Sequence, residues 1–123
     1  MFNCNRVETS RLMDGQATGV ARVYDECPHV VGGEIVLTSK FLDDSGRSIP
    51  FAKATIVSVR PGTFGEFRHD SMIPEMDGYA NGEEWAGHMR RWYPAIGDSV
   101  KMFHLKLRVF EMDKEAGQRG DVD

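Results

Sequence analysis

The sequence is poor in cysteine, in long apolar runs and in excess charge of either sign, and each shortage removes a class of protein. Only Cys4 and Cys27 occur in 123 residues, too few for a disulfide framework, so both are expected as thiols. Cys27-Pro28-His29 offers half of a metal site, but no second ligand pair follows at zinc-like spacing, and a closed zinc site wants four ligands. Neither a metal nor a cofactor is expected. No stretch approaches the roughly 18 apolar residues that cross a bilayer, and Met1-Phe2-Asn3-Cys4-Asn5-Arg6 lacks the apolar run of a secretory signal. These features lead to an expectation of a cytoplasmic protein with no membrane partner. The formal charge is −4, but residues 111–123 hold five of the 19 acids and two of the 15 bases. The body before them is close to neutral, with 13 bases against 14 acids.

A chain of this length fits one domain and can bury roughly two-thirds of its unfolded surface. Its hydrophobic fraction of 41% and charged fraction of 28% are ordinary for a globular core. Arg6–Met13 can form a short helix, with Gly15 suited to a left-handed stop, and Gln16–Asp25 reads as a loop running into an extended segment. Pro28 and Gly32-Gly33 mark a turn before a strand at Glu34–Phe41, which Asp43-Asp44-Ser45-Gly46 ends. A second strand is expected over Ala52–Val59, with Pro50 at its entrance and Pro61-Gly62 ending it. Residues 62–80 show no sustained period and read as a long loop of the kind that carries function.

The clearest helix spans Gly82–Tyr93. Asn81 is its N-cap, Glu84 follows three residues on, and Trp85, Met89 and Trp92 fall at i, i+4 and i+7 on one face. Core packing of all three is expected ahead of stacking on a nucleic-acid base. The last strand, Val100–Phe110, alternates: Phe103, Leu105, Leu107 and Val109 point one way, and Met102, His104, Lys106 and Arg108 the other. The second set predicts a solvated face, with a phosphate-binding stripe as the alternative. The composition of residues 111–123 predicts a flexible acidic tail, able to meet a protein partner.

Five landmarks in order carry a family resemblance. Met13-Asp14-Gly15 with the following turn and Arg22 comes first, then Gly33-Glu34-Ile35-Val36, then the strand from Ala52 to Val59. Asp77-Gly78-Tyr79 ahead of the capped helix follows, and Tyr93-Pro94 leading to Asp98 and Val100 closes the series. Together they resemble the ASCH (activating-signal-cointegrator homology) branch of the PUA-like fold over roughly residues 6–110. The resemblance implies an α+β protein: a small, twisted, partly closed β-barrel of about five or six strands with two or three flanking helices and a cleft between them. It also implies a module that binds RNA or a nucleotide-like small molecule. Some family members are amidohydrolases or ribonucleases, and the amidohydrolases use a lysine and a threonine from the turn after the first helix with an acid from the later loop.

Here the turn is Gly15-Gln16-Ala17-Thr18-Gly19-Val20-Ala21-Arg22, without a lysine, so binding is expected rather than hydrolysis. Thr18 and Asp77 are the catalytic candidates that remain, and either can instead bond a ligand; a threonine nucleophile needs a neighbouring base. Arg22 is the first choice for a ligand contact because a guanidinium can make two parallel bonds to a phosphate or base edge, its alternative being a salt bridge with an acid such as Glu34. Lys40, Arg60 and Arg68 are further ligand-binding candidates, and His69 with Asp70 could form an acid–base pair. An amidohydrolase or ribonuclease and a protein-interaction adaptor are the competing functions.

Overall fold

The computed structural model describes residues 2–39 and 47–113. Lys40, the turn at 43–46 and the acidic segment 114–123 lie outside the described residues. The elements run β1 (Phe2–Cys4), α1 (Arg6–Met13), β2 (Gly19–Val23), β3 (Glu34–Ser39), β4 (Ile49–Thr63), α2 (Phe64–Arg68), α3 (Ile73–Met76), α4 (Gly82–Trp92) and β5 (Lys101–Met112). One five-stranded sheet holds all the strands in the order β1-β3-β4-β5-β2, parallel between β1 and β3 and antiparallel elsewhere. Register breaks at Lys53/Ala54 and Ile56/Ser58 interrupt the β4–β5 ladder, and such bulges bend strands and strengthen their twist. The result is a curled half-barrel with helices on it, the α+β architecture expected. No helix among the described residues is long and apolar enough to cross a membrane.

Pro50 stands at the entrance of β4 as expected, one residue in and at the register break between Leu37 and Thr38, but Pro61 does not end the strand and pairs with Phe103. β3 accompanies β4 only as far as Thr55, so Pro61 lies where β4 has a single described neighbour, and a proline is tolerated on such an edge. The stretch read as one long loop contains two helices. Thr63 caps α2 by accepting from the Glu66 N–H at 3.2 Å, and Asp70 starts α3 by accepting from the N–H groups of Met72 and Ile73. Helices of five and four residues are too short to display a 3.6-residue period.

Two clusters fill the interior. Phe2, Leu12, Val20, Leu37, Phe51, Ile56, Leu105 and Leu107 form one cluster on the sheet. Ala21, Phe64, Phe67, Ile73, Trp85, Met89 and Met102 join the helices to the other side. β5 is therefore covered on both faces along its first half. Met102 and His104, expected on a solvated cationic face, are fully buried, whereas Lys106 and Arg108 on the same face are exposed. α4 behaves as its cap predicts, since the Asn81 side chain accepts from the Glu84 N–H at 2.9 Å. Trp85 and Met89 pack inward, but Trp92 is 47% exposed: the last turn of α4 overhangs the end of the second core, so the expected burial of all three is corrected.

Trp85 stacks on Phe64 at 5.6 Å between ring centres, with Phe67 at 6.5 Å edge-on. Truncating Trp85 to Ala is expected to cost about 3–5 kcal/mol in urea unfolding, as for other buried aromatics. Trp92→Ala should change stability by less than about 1 kcal/mol, in line with surface substitutions. Equal costs at the two positions would contradict the packing described.

Candidate functional site

Asp77 ends α3, and Gly78, at a φ of +86°, turns the chain away. The turn directs the Asp77 carboxylate inward. Its Oδ2 accepts from Trp85 Nε1 at 2.9 Å, and its Oδ1 lies 2.7 Å from His104 Nε2. All three residues are buried, so Asp77, a candidate for ligand contact, has both oxygens engaged inside the protein. Gly19 on β2 makes room for the pair: a Cβ there would lie 2.6 Å from the His104 ring and 2.9 Å from Asp77 Oδ1. Thr18 stands beside them with its backbone occupied, its N–H donating to Met76 and its carbonyl accepting from Leu107, both at 2.7 Å. The exposed Thr18 lines a groove of 500 Å³ on the other flank of β5, not the buried Asp77 cluster.

Arg22 is anchored elsewhere. Its Nη1 and Nη2 donate to Glu8 Oε2 and Oε1 at 2.5 and 2.8 Å, and the same nitrogens donate to the carbonyls of Ala21 and Asn3 at 2.8 Å each. The guanidinium lies over the Phe2 ring, 4.5 Å from its centre. Burial works against the charge of Arg22, but Glu8 more than offsets it and holds the group protonated. The salt bridge foreseen as the alternative exists with Glu8 in place of Glu34. Glu8 is also the N3 residue of a capping box with Asn5, so one carboxylate starts α1 and ties it to Arg22 on β2. Burial and then Glu8 raise the nearby Cys4 thiol to about 12.

Beside this clasp opens a recess of 160 Å³, lined by Asn3, Asn5, Glu8 and Arg22 on one side and by Trp92 and Tyr93 on the other. It lies between the half-barrel and the end of α4. Glu8 was not anticipated here, and Trp92 only through base stacking, the alternative to core packing. The Asn5-to-Glu8 spacing was the available signal for the first, since a capping box is written as a polar residue followed three positions later by Glu.

The remaining candidates sit on the α2–α3 flank. Arg60 pairs with Asp70 at 2.9 Å, and Arg68 lies 3.5 Å from Asp98. Arg68, His69 and Asp70 line a wider recess of 690 Å³ together with Tyr79, Asn81 and Glu83. Asp70 gives one oxygen to the start of α3 and the other to Arg60, and the N–H of Met72, ahead of the remaining contacts, holds its carboxyl below the usual range. Cys27 Sγ contacts the His29 carbonyl at 3.6 Å, and the His29 ring meets the Tyr24 hydroxyl at 3.4 Å. Among the described residues no three His, Cys, Asp or Glu side chains gather as metal ligands. Thus Arg22, Asp77 and Thr18 line no common pocket among those described.

His88 is the one described residue with a buried side-chain nitrogen, Nδ1, left without a hydrogen bond. Its ring lies 4.8 Å from that of Tyr79, over which the Arg11 guanidinium sits at 4.1 Å. Burial first, then Arg11 and Arg91, lower the His88 pKa below 6.5. The unfolded chain therefore takes up this proton first, and the stability His88 contributes, full above pH 6.5, is lost as pH falls through its folded value.

Asp77→Ala strands the buried Trp85 and His104 rings, at about 1–3 kcal/mol for each unsatisfied group, and Gly19→Ala must push His104 aside; both should lower the urea midpoint. His88→Phe removes the orphaned nitrogen and should leave the protein at least as stable at pH 7, with a flatter stability profile below pH 6.5. A steeper acid loss in the variant would contradict the assigned direction.

No family model and no curated protein sequence matches the chain. Solved structures do. A DUF984 protein from Enterococcus faecalis V583 is similar with a TM-score of 0.67 at 14% identity, over 89% of this chain and 71% of its own. The ASCH domain from Lactobacillus crispatus JV V101 gives 0.58 at 14% identity, over 85% and 71%. A point mutant of the Zymomonas mobilis ASCH protein gives 0.58 at 11% identity, over 94% and 75%.

Proposed function

We propose that this chain, an ASCH-like α+β module of the PUA-like class by its fold, binds RNA or a nucleotide-like ligand, with one base seated in the recess between Arg22 and Trp92. The observation that carries the reading is Trp92. A tryptophan 47% exposed at the mouth of a recess of 160 Å³ offers a free ring where a single flat heterocycle can enter. Unpaired bases are commonly held by stacking on aromatic side chains, and stacking tolerates a near-neutral protein body. Arg90 and Arg91, exposed in the same helical turn, supply positive charge for a phosphate. Arg22 contributes a rigid cationic floor, because its fork is already closed on Glu8. Arg60 and Arg68, on the other flank, would meet the backbone of a longer strand.

Hydrolysis is the weaker reading. Both Asp77 oxygens are engaged by buried rings, and the turn itself, residues 15–22, contains no lysine. Titration of the protein with short single-stranded RNAs and mononucleotides at two salt concentrations, read by calorimetry for every variant and by tryptophan fluorescence for the unmodified protein, tests the proposal. Quenching is expected, and Trp92→Ala should weaken binding by about 1–3 kcal/mol, the usual value of one stacked base. Unchanged affinity in that variant would remove the recess from binding, and efficient turnover of an N-acylated cytidine would replace a binder with an enzyme.

A further inference from the structure

β5 has a neighbour on both sides for only part of its length. β2 pairs with it from Met102 to Lys106, and the Thr18 carbonyl takes the N–H of Leu107; beyond that, Arg108–Met112 are bonded on one side by β4 and on the other by no described strand. The Leu107 N–H points toward β2, so the Val109 N–H, two residues on and before the register break, points the same way, to the side where no described strand lies. Along this edge runs the groove of 500 Å³, walled by Leu12 and Met13 from the end of α1, by Ala17 from the turn after it, and by Val109, Phe110 and Met112 from β5. Phe110 is 50% exposed. Gly15, at a φ of +74°, turns the chain between α1 and Ala17 and has nothing within 4 Å of a Cβ built on it.

We propose that this slot takes an extended peptide strand from a partner protein, which prolongs the line of β2 alongside Arg108–Met112. The backbone edge asks for a strand, since only extended chain presents donors and acceptors at the spacing of a sheet edge. The apolar walls ask for alternate apolar side chains on that strand. Five residues of β5 give a run of about 17 Å, one ordinary strand length. The far wall formed by Leu12 and Met13 selects a lone strand: β5 of a second copy carries β4 along its other edge and would collide with α1. The site lies apart from the Trp92 recess, so it stands or falls independently of nucleotide binding.

The test uses the full chain and a fluorescein-labelled, blocked peptide that alternates valine and threonine between terminal lysines. Binding is expected by fluorescence polarisation, with amide exchange slowed at Val109 in NMR spectra of the complex. The same peptide N-methylated at alternate residues, and the Phe110→Asp variant with the parent peptide, should each bind at least about tenfold more weakly, or 1.4 kcal/mol. Phe110 is exposed, so that variant should keep its unfolding midpoint; Met13→Asp provides a second wall variant with the same expected loss. No binding, binding indifferent to N-methylation and to both variants, or unaltered exchange at Val109 would overturn the proposal. So would a concentration-dependent dimer that Phe110→Asp dissolves while the peptide fails to bind, because the occupant would then be a second copy.

Discussion

The carboxylate of Asp77 is the point on which the two halves of the molecule are fastened. A sheet and a helical layer can slide on apolar contacts alone, because such contacts carry little direction. Here one buried acid receives a Trp85 N–H from α4 and faces His104 from β5, and it reaches both from the end of α3. Three elements are thereby fixed at bond-length tolerance. The cost of burying the carboxylate is offset only while both partners stay in place, which makes the arrangement nearly all-or-none. Gly19 belongs to the same constraint, since the close approach of β2 leaves no room for a side chain beneath the pair.

Arg22 plays the corresponding part at the other end. β1 and β2 are the outer strands of the sheet and share no ladder, yet Arg22 on β2 donates to the carbonyl of Asn3 on β1 and grips Glu8 on the intervening helix. The seam of the half-barrel is thus closed by a side chain. An arginine that reads in sequence as a ligand hook is, in the fold, the clasp behind a recess, and the free aromatic surface beside it belongs to Trp92.

What was legible in the sequence was local. Gly15 as the stop of α1, Asn81 as the cap of α4 and the shared inward face of Leu105 and Leu107 are one-dimensional signals of backbone geometry, and the structure has all three. The series of landmarks pointed to the ASCH-like architecture although the solved structures share only 11–14% of its residues. What was not legible depends on distant chain. His104 has the parity of a solvent-facing residue and becomes buried because α2, α3 and α4 roof that part of β5. Trp92 has the periodicity of a core residue and becomes exposed because the core ends one turn before the helix does. Asp77 before Gly78 looks like an ordinary turn acid, and nothing in its neighbours announces a histidine 27 positions away.

The strand order has a consequence in time. β5 lies between β4 and β2, so Gly19–Val23, among the first elements of the described chain to be made, have no ladder until Lys101–Met112 leave the ribosome. Ala21 must wait for His104, 83 positions later, and the β1–β3–β4 portion can curl before then but cannot close. Topologies with such distant pairings fold slowly, and their unpaired strands are open to association meanwhile. A nascent chain stalled before β5 would therefore present an apolar sheet face and an unpartnered β2, the kind of surface on which chaperones act.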